Sequence, residues 1–219
     1  MDCTLDVVLP CLDEAAALEW VLSRMPVGAR PIVVDNGSTD GSADVAVGLG
    51  ATVVSEWRRG YGAACHAGLE AATAPLVAVM DCDATLDPQE LERFVAAVAS
   101  DDVPTLAVGR RVPVSAASWP WHLRVANRVV AGRVNRRTGL SLADIGPMRV
   151  APREALLALG LEDRRSGYPV ETVVRAAEAG WLVVQVDVPY AARSGRSKVT
   201  GTPLGAARAV RDMTAVLSR

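Results

Sequence analysis

The chain has 219 residues, enough for one sizeable core, and half of them are hydrophobic, which excludes a disordered chain. A net charge of −2 and a sequence pI of about 5.7 leave no bulk electrostatic case for nucleic acid. No apolar run approaches the ~20 residues that span a bilayer, and the start lacks the charged-then-apolar build of a signal peptide. The expected location is therefore cytoplasmic, with peripheral contact on the inner face of a membrane left open.

The first predicted strand is residues 5–10, followed by an amphipathic helix that ends near residue 25, where Pro26 and Gly28 stop it. A second strand, 31–34, runs into the polar, Gly-rich turn D-N-G-S-T-D-G at 35–41, and a helix at 42–49 follows. A short strand at 51–55 precedes E-W-R-R-G-Y-G, which opens a helix reaching about residue 73. The fourth strand, within L-V-A-V-M-D-C-D at 76–83, is continuously apolar, as a buried central strand should be. A helix at 88–99 and a strand at 105–109 complete an alternation that predicts an α/β fold with a doubly wound, mostly parallel sheet.

The second half is less regular. Helices are expected at 119–137, 152–159 and 170–179, and from residue 203 onward. Strands are expected at 146–150 and 181–190, with a polar, Gly-rich loop at 191–202. No linker composition appears, so the whole chain, 1–219, reads as one domain.

Asp81 and Asp83 are the strongest candidates for chemistry. Two residues apart in an extended segment, their carboxylates face one side, beyond the carboxyl end of a sheet strand. Carboxylates held that close repel one another unless a cation lies between them, and Mg²⁺ or Mn²⁺ suits such oxygen ligands. The other reading is a polar strand end leading to a helix cap at Asp87-Pro88.

Asp35 ends a strand in the same way. It suits either a ribose contact or an Asx turn. Gly60 opens a helix beside Arg58 and Arg59, which suits an anion, or a close contact that needs small residues. The run R-S-G-R-S-K at 193–198 holds three cations, among them the chain's only lysine, and can bind phosphate. The helix at 119–137 mixes Trp119, Trp121 and valines with five arginines, a pattern for a core-facing helix or one lying in a membrane interface. The cysteines Cys3, Cys11, Cys65 and Cys82 make no zinc-like spacing with His66 or His122 and read as small buried residues.

Taken in order, the motifs resemble family 2 glycosyltransferases of the GT-A fold, within them the dolichol-phosphate-mannose synthase branch. The matching stretches are V-V-L-P-C-L-D-E at 7–14, V-V-D-N-G-S-T-D-G-S at 33–42, R-G-Y-G-A-A at 59–64 and M-D-C-D-A at 80–84. They continue with G-R-R at 109–111, D-I-G-P-M-R at 144–149 and R-S-G-R-S-K-V-T-G-T at 193–202. The resemblance implies a Rossmann-like sheet flanked by helices, with residues 1–110 binding nucleotide sugar and 111–219 the acceptor. It implies nucleotide-sugar contacts from Pro10, Leu12, Glu14, Asp35, Gly60, Asp81, Cys82 and Asp83. It makes Asp81 and Asp83 the ligands of Mg²⁺ or Mn²⁺, and Asp144 the acid facing the acceptor. Arg110, Arg193, Arg196, Ser197 and Lys198 would contact phosphate or acceptor. Where that branch often carries Gln, two places after the second Asp, this chain has Thr85.

The implied reaction is inverting, metal-dependent transfer of a hexose from a UDP- or GDP-sugar to a polyprenyl phosphate or another acceptor. With a hydroxyl acceptor, Asp144 is the general base; with a phosphate acceptor, already ionised, it orients. The rival readings are a sugar nucleotidylyltransferase and a non-catalytic nucleotide-binding scaffold.

Overall fold

The computed structural model describes residues 4–98, 103–193 and 203–218. Seven strands form one sheet: β1 (Leu5–Cys11), β2 (Ala29–Asp35), β3 (Thr52–Ser55), β4 (Leu76–Val79), β5 (Thr105–Pro113), β6 (Arg149–Pro152) and β7 (Leu182–Tyr190). Their spatial order is β3-β2-β1-β4-β6-β5-β7. The first four strands are mutually parallel, as the alternation of strands and helices requires.

The sheet departs from the expected doubly wound form at β6. That strand lies between β4 and β5 and is antiparallel to both, while β5 and β7 are parallel. Residues 144–148 therefore arrive at the edge where β4 and β5 end. The approach is close: a Cβ on Gly146 would lie 1.7 Å from the carbonyl oxygen of Gly109.

Alternation along each strand feeds two cores. Val8, Val77 and Val79 pack with α3 (Tyr61–Ala71), α5 (Trp121–Thr138), α6 (Arg153–Ala158) and α7 (Tyr168–Glu178). Val7, Leu9, Ala78 and Met80 pack with α1 (Ala15–Ser23), α2 (Ser42–Gly48) and α4 (Leu91–Val98). The final helix, α8 (Pro203–Val216), joins the first core through Val216.

Inside β1, Asp6 is fully buried. It accepts from Arg30 Nε and Nη2 at 2.7 Å each and from the backbone N–H groups of Thr73 and Ala74 at 2.6 and 2.8 Å. This charge ties three parallel strands together at the edge opposite the candidate site.

Several boundaries differ from expectation. The helix foreseen at 88–99 is a 3₁₀ turn, Pro88–Glu90, with Asp87 as its cap, leading into α4. β5 runs on to Pro113, because β7 pairs with it over its whole length.

Candidate active site

The carboxyl ends of β1, β2, β4 and β5 converge on one edge. β4 stops at Val79, so Asp81 and Asp83 lie on a turn and not in the extended segment foreseen. Ala84 closes that turn with φ of 60°. A non-glycine residue rarely adopts this conformation, and it is held only where surroundings enforce it.

Thr85 is part of that enforcement. Its hydroxyl and backbone N–H donate to Asp83 Oδ1 at 2.6 and 3.1 Å. The short hydroxyl thus fixes one oxygen of Asp83 and leaves Oδ2 toward Arg193, whose Nη1 lies 3.1 Å away. Arg193 also pairs with Glu14 through Nη2. One guanidinium therefore bridges the loop after β1 and the loop after β4. Cys82, between the two aspartates, is buried and donates its thiol to the carbonyl of Pro10 at 3.1 Å.

Burial, then the charge of Asp83, pushes the Asp81 carboxyl up to about 7; Arg111, Arg193 and the Tyr61 hydroxyl act the other way. The guanidinium groups of Arg193 and Arg111 thus offset only part of the repulsion and burial that the two carboxyls meet. Among the described residues no group of three or more His, Cys, Asp or Glu side chains forms a complete cage. Two carboxylates, with water and phosphate oxygens completing the shell, fit the needs of Mg²⁺ or Mn²⁺.

The loop after β2 is wired to the loop after β1. Asp35 accepts from the N–H groups of Gly37 and Ser38 at 3.3 and 3.1 Å, the Asx turn that its neighbours suggested. Ser38 and Ser42 hydroxyls accept from the backbone N–H groups of Asp13 and Glu14, both at 2.9 Å. Asn36 escaped the sequence reading. Its Nδ2 donates to the Glu56 and Arg58 carbonyls at 2.8 Å each, and its Oδ1 accepts from Gly60 N–H at 2.9 Å.

The anion-site reading of the glycine-opened helix gives way to its alternative. The N–H groups of Gly62 and Ala63 donate to the carbonyls of Arg165 and Arg164 at 3.0 and 2.9 Å. Gly60 has φ of +149°, and a Cβ there would lie 2.1 Å from the Arg164 oxygen. The small residues serve this contact, and those donors are spent.

On the far side, Asp144 is 1% exposed. Its Oδ2 accepts from the backbone N–H and Nε of Arg111 at 2.8 and 2.9 Å, and its Oδ1 from Arg111 Nη2 at 2.7 Å. Burial disfavours the Arg111 charge, yet the Asp144 pair outweighs it and holds the guanidinium above its usual range. Trp119 and Tyr190 flank Arg111, with ring centroids 4.0 and 5.4 Å from its guanidinium carbon. Arg111 Nη1 makes no hydrogen bond among the described residues.

Arg110 is not brought into this cluster. It is exposed and pairs with Asp187, its register partner on β7. Adjacent strand residues face opposite ways, so Arg111, and not Arg110, reaches the carboxylates. Arg149 was also missed: it sits beside Val79 in the sheet, buried, and donates Nε to the Gly146 carbonyl at 3.1 Å. Pro10 is the penultimate residue of β1 and Leu12 follows the strand in its loop, both half-buried at the same edge. Arg196, Ser197 and Lys198 lie outside the described residues.

A helix-flanked sheet with two carboxylates beyond β4 and guanidinium groups beside them has the architecture of a GT-A glycosyltransferase. The glycosyl transferase family 2 profile matches residues 6–160, and the chain belongs to that family. It is 52% identical over 213 residues to an uncharacterised glycosyltransferase of Mycobacterium tuberculosis, covering 97% of each chain. It is 29% identical to the dolichyl-phosphate hexose transferase of Haloferax volcanii, covering 93% of this chain and 90% of that one. Its fold matches glucosyl-3-phosphoglycerate synthase from M. tuberculosis, solved with Mn²⁺, UDP and glucosyl-3-phosphoglycerate. The TM-score there is 0.75 at 22% identity, over 98% of this chain and 78% of that one. The chain is thus a glycosyltransferase acting on nucleotide sugars, and the nucleotidylyltransferase and scaffold readings are set aside.

Proposed function

We propose that the chain transfers a hexose, with inversion, from a UDP- or GDP-sugar to a polyprenyl phosphate. The observation that carries the acceptor choice is the Arg111–Asp144 unit. Both oxygens of Asp144 are engaged by Arg111, so this part of the site offers an acceptor a fixed guanidinium and not a free carboxylate. A phosphate acceptor is already ionised and needs no base; it needs a fixed cation. Arg111 is fixed, and its Nη1 has no protein partner among the described residues. The lipid-phosphate substrate of the H. volcanii relative supports the same reading.

Pro10, Leu12, Glu14 and Asp35 would contact the nucleoside from the loops after β1 and β2, so that residues up to 110 serve the donor. Asp81 and Asp83 would hold Mg²⁺ or Mn²⁺, which when bound neutralises charge on the departing diphosphate. Thr85 keeps Asp83 in register for this role. Arg193 would turn from Asp83 to the diphosphate, together with Arg196, Ser197 and Lys198. Arg111 orients the acceptor phosphate for in-line attack on the anomeric carbon. A bond forms from phosphate oxygen to that carbon, the bond to the diphosphate oxygen breaks, and the electron pair leaves with the nucleotide. Asp144 positions Arg111 throughout. Such an acceptor is anchored in a bilayer, and the chain would meet it as a peripheral protein.

The test is incubation with UDP- and GDP-hexoses, Mn²⁺ and a short-chain polyprenyl phosphate or the matching polyprenol. Product from the phosphate alone is expected. Transfer to hydroxyl acceptors with none to the phosphate overturns the acceptor assignment.

A further inference from the structure

α5 carries two apolar stripes, and the fold uses one. Val130, Ala131 and Val134 face the core. Asn127 and Asn135 hold the segment below: their Oδ1 atoms accept from the N–H groups of Ile145 and Leu142 at 3.2 and 2.9 Å. At roughly 100° per residue, the direction opposite that core face is occupied by Trp121, Val125 and Val129 over the first turns, and by Gly132 and Arg136 toward the end of the helix. Trp121, Val125 and Val129 are 76%, 47% and 47% exposed. A helix meeting only water would place its most polar residues there. Near the end of β5, which precedes the helix in the chain, Val112 and Val114 are also exposed, at 44% and 64%.

Charge in this region is segregated to a degree that net charge conceals. Residues 111–143 contain six arginines and no Asp or Glu, in a chain whose total charge is −2. Arg124 and Arg128 flank the stripe on one side and Arg133 on the other, and all three are exposed. None of their side chains makes a hydrogen bond or ion pair within the described residues. Arginines beside an apolar stripe suit a surface that is hydrocarbon in depth and anionic at its face. A second copy of the chain suits it poorly, since pairing these faces about a twofold axis would set arginine against arginine.

We infer that the outer face of α5 docks on an anionic lipid bilayer. α5 is 18 residues long, a rod of roughly 27 Å that would lie in the plane of the headgroups. Trp121, Val125 and Val129 enter the acyl boundary, and the arginines pair with lipid phosphates. Through Asn127 the docked helix sets the height of residues 143–145, and so of Asp144 and Arg111, against the lipid surface. The inference extends the lipid-phosphate reading above, but the vesicle-binding test itself uses no polyprenyl phosphate.

The full chain is sedimented with vesicles of phosphatidylglycerol or of phosphatidylcholine. Binding to the anionic vesicles, weakening with salt, is expected. Replacing Arg124, Arg128 and Arg133 together by Gln should weaken it about a hundredfold, at roughly fivefold per arginine. Trp121→Ser with Val125→Ser should also release the chain, while both variants still bind, with Mn²⁺, whichever of UDP and GDP the parent binds. Failure of the parent to bind phosphatidylglycerol vesicles overturns the inference, as does unchanged binding by both variants. A dimer in sedimentation velocity that Trp121→Ser converts to monomer overturns it in favour of a second copy. Vesicle binding without transfer to a detergent-dispersed polyprenyl phosphate would keep the surface and remove the acceptor.

Discussion

Asp144 gives both of its carboxylate oxygens to Arg111, one of them shared between the side chain and the backbone N–H of the same residue. The pair is buried, so removing either partner leaves an uncompensated charge. Arg111→Lys keeps the charge but loses the planar fork. It should raise the acceptor KM about tenfold, leaving the donor dissociation constant unchanged in calorimetry. A loss of donor affinity of the same size would assign Arg111 to the donor side instead. Asp144→Asn should lower stability by about 3 kcal/mol, the low end for breaking a buried pair, as read by urea unfolding.

With Asp81 as a ligand, as proposed, metal binding would depend on pH. Its carboxyl is pushed up to about 7 by burial and by Asp83. The folded chain then keeps a proton that the unfolded chain has released. Without metal, stability therefore falls as pH rises from about 4 to about 7 and is level above. A cation needs the carboxylate, so Mn²⁺ affinity should rise about tenfold between pH 6 and pH 8, following the ionised fraction. Titration calorimetry at the two pH values checks this, and equal affinities would contradict it. Asp81→Ala or Asp83→Ala should abolish metal-dependent donor binding.

Arg193 holds Glu14 and Asp83 together in the absence of ligand. Arg193→Ala frees Asp83 Oδ2, so a divalent cation no longer competes with a guanidinium. The variant should bind Mn²⁺ more tightly, by about threefold to tenfold, the worth of a partly buried ion pair, yet turn over more slowly. Manganese paramagnetic resonance and initial rates measure the two effects. Weaker manganese binding would mean that Arg193 supports the cation site.

Asp6 tests the fold apart from the site. Burial alone would raise its carboxyl, but Arg30 and the Thr73 and Ala74 N–H groups outweigh that and hold it below the usual range. Its contribution is present above the ordinary carboxylate range and is lost as pH falls through the lowered value. Asp6→Asn should cost about 3 kcal/mol, shifting the thermal midpoint down without changing the steepness of donor titrations in the folded protein.

The first four strands were legible because each is a short apolar run closed by polar turn residues, and Asp81 and Asp83 stood out as acids ending the most apolar of them. Three features were not legible. The direction of β6 depends on partners, and R-V-A-P says nothing of which way the strand runs. Arg110 and Arg111 are equivalent as letters; the pleat phase that turns one inward is set by pairing with residues 182–190. The glycines around Tyr61 answer to carbonyls about 100 residues further along the chain.

The reversed strand β6 also governs how the chain can be divided. A fragment ending at residue 110 would contain both aspartates and the loops after β1 and β2, yet β4 would have no neighbour on one side and β5 would lose both of its partners. The open edge of β4, two residues from Asp81, would be a template for aggregation. Completion of the sheet must wait until residues 149–152 have been synthesised and threaded between strands already made. Folding is therefore expected to be slow and late in closing for its length, and the edge that carries Asp81 is completed only when residues 149–152 are in place.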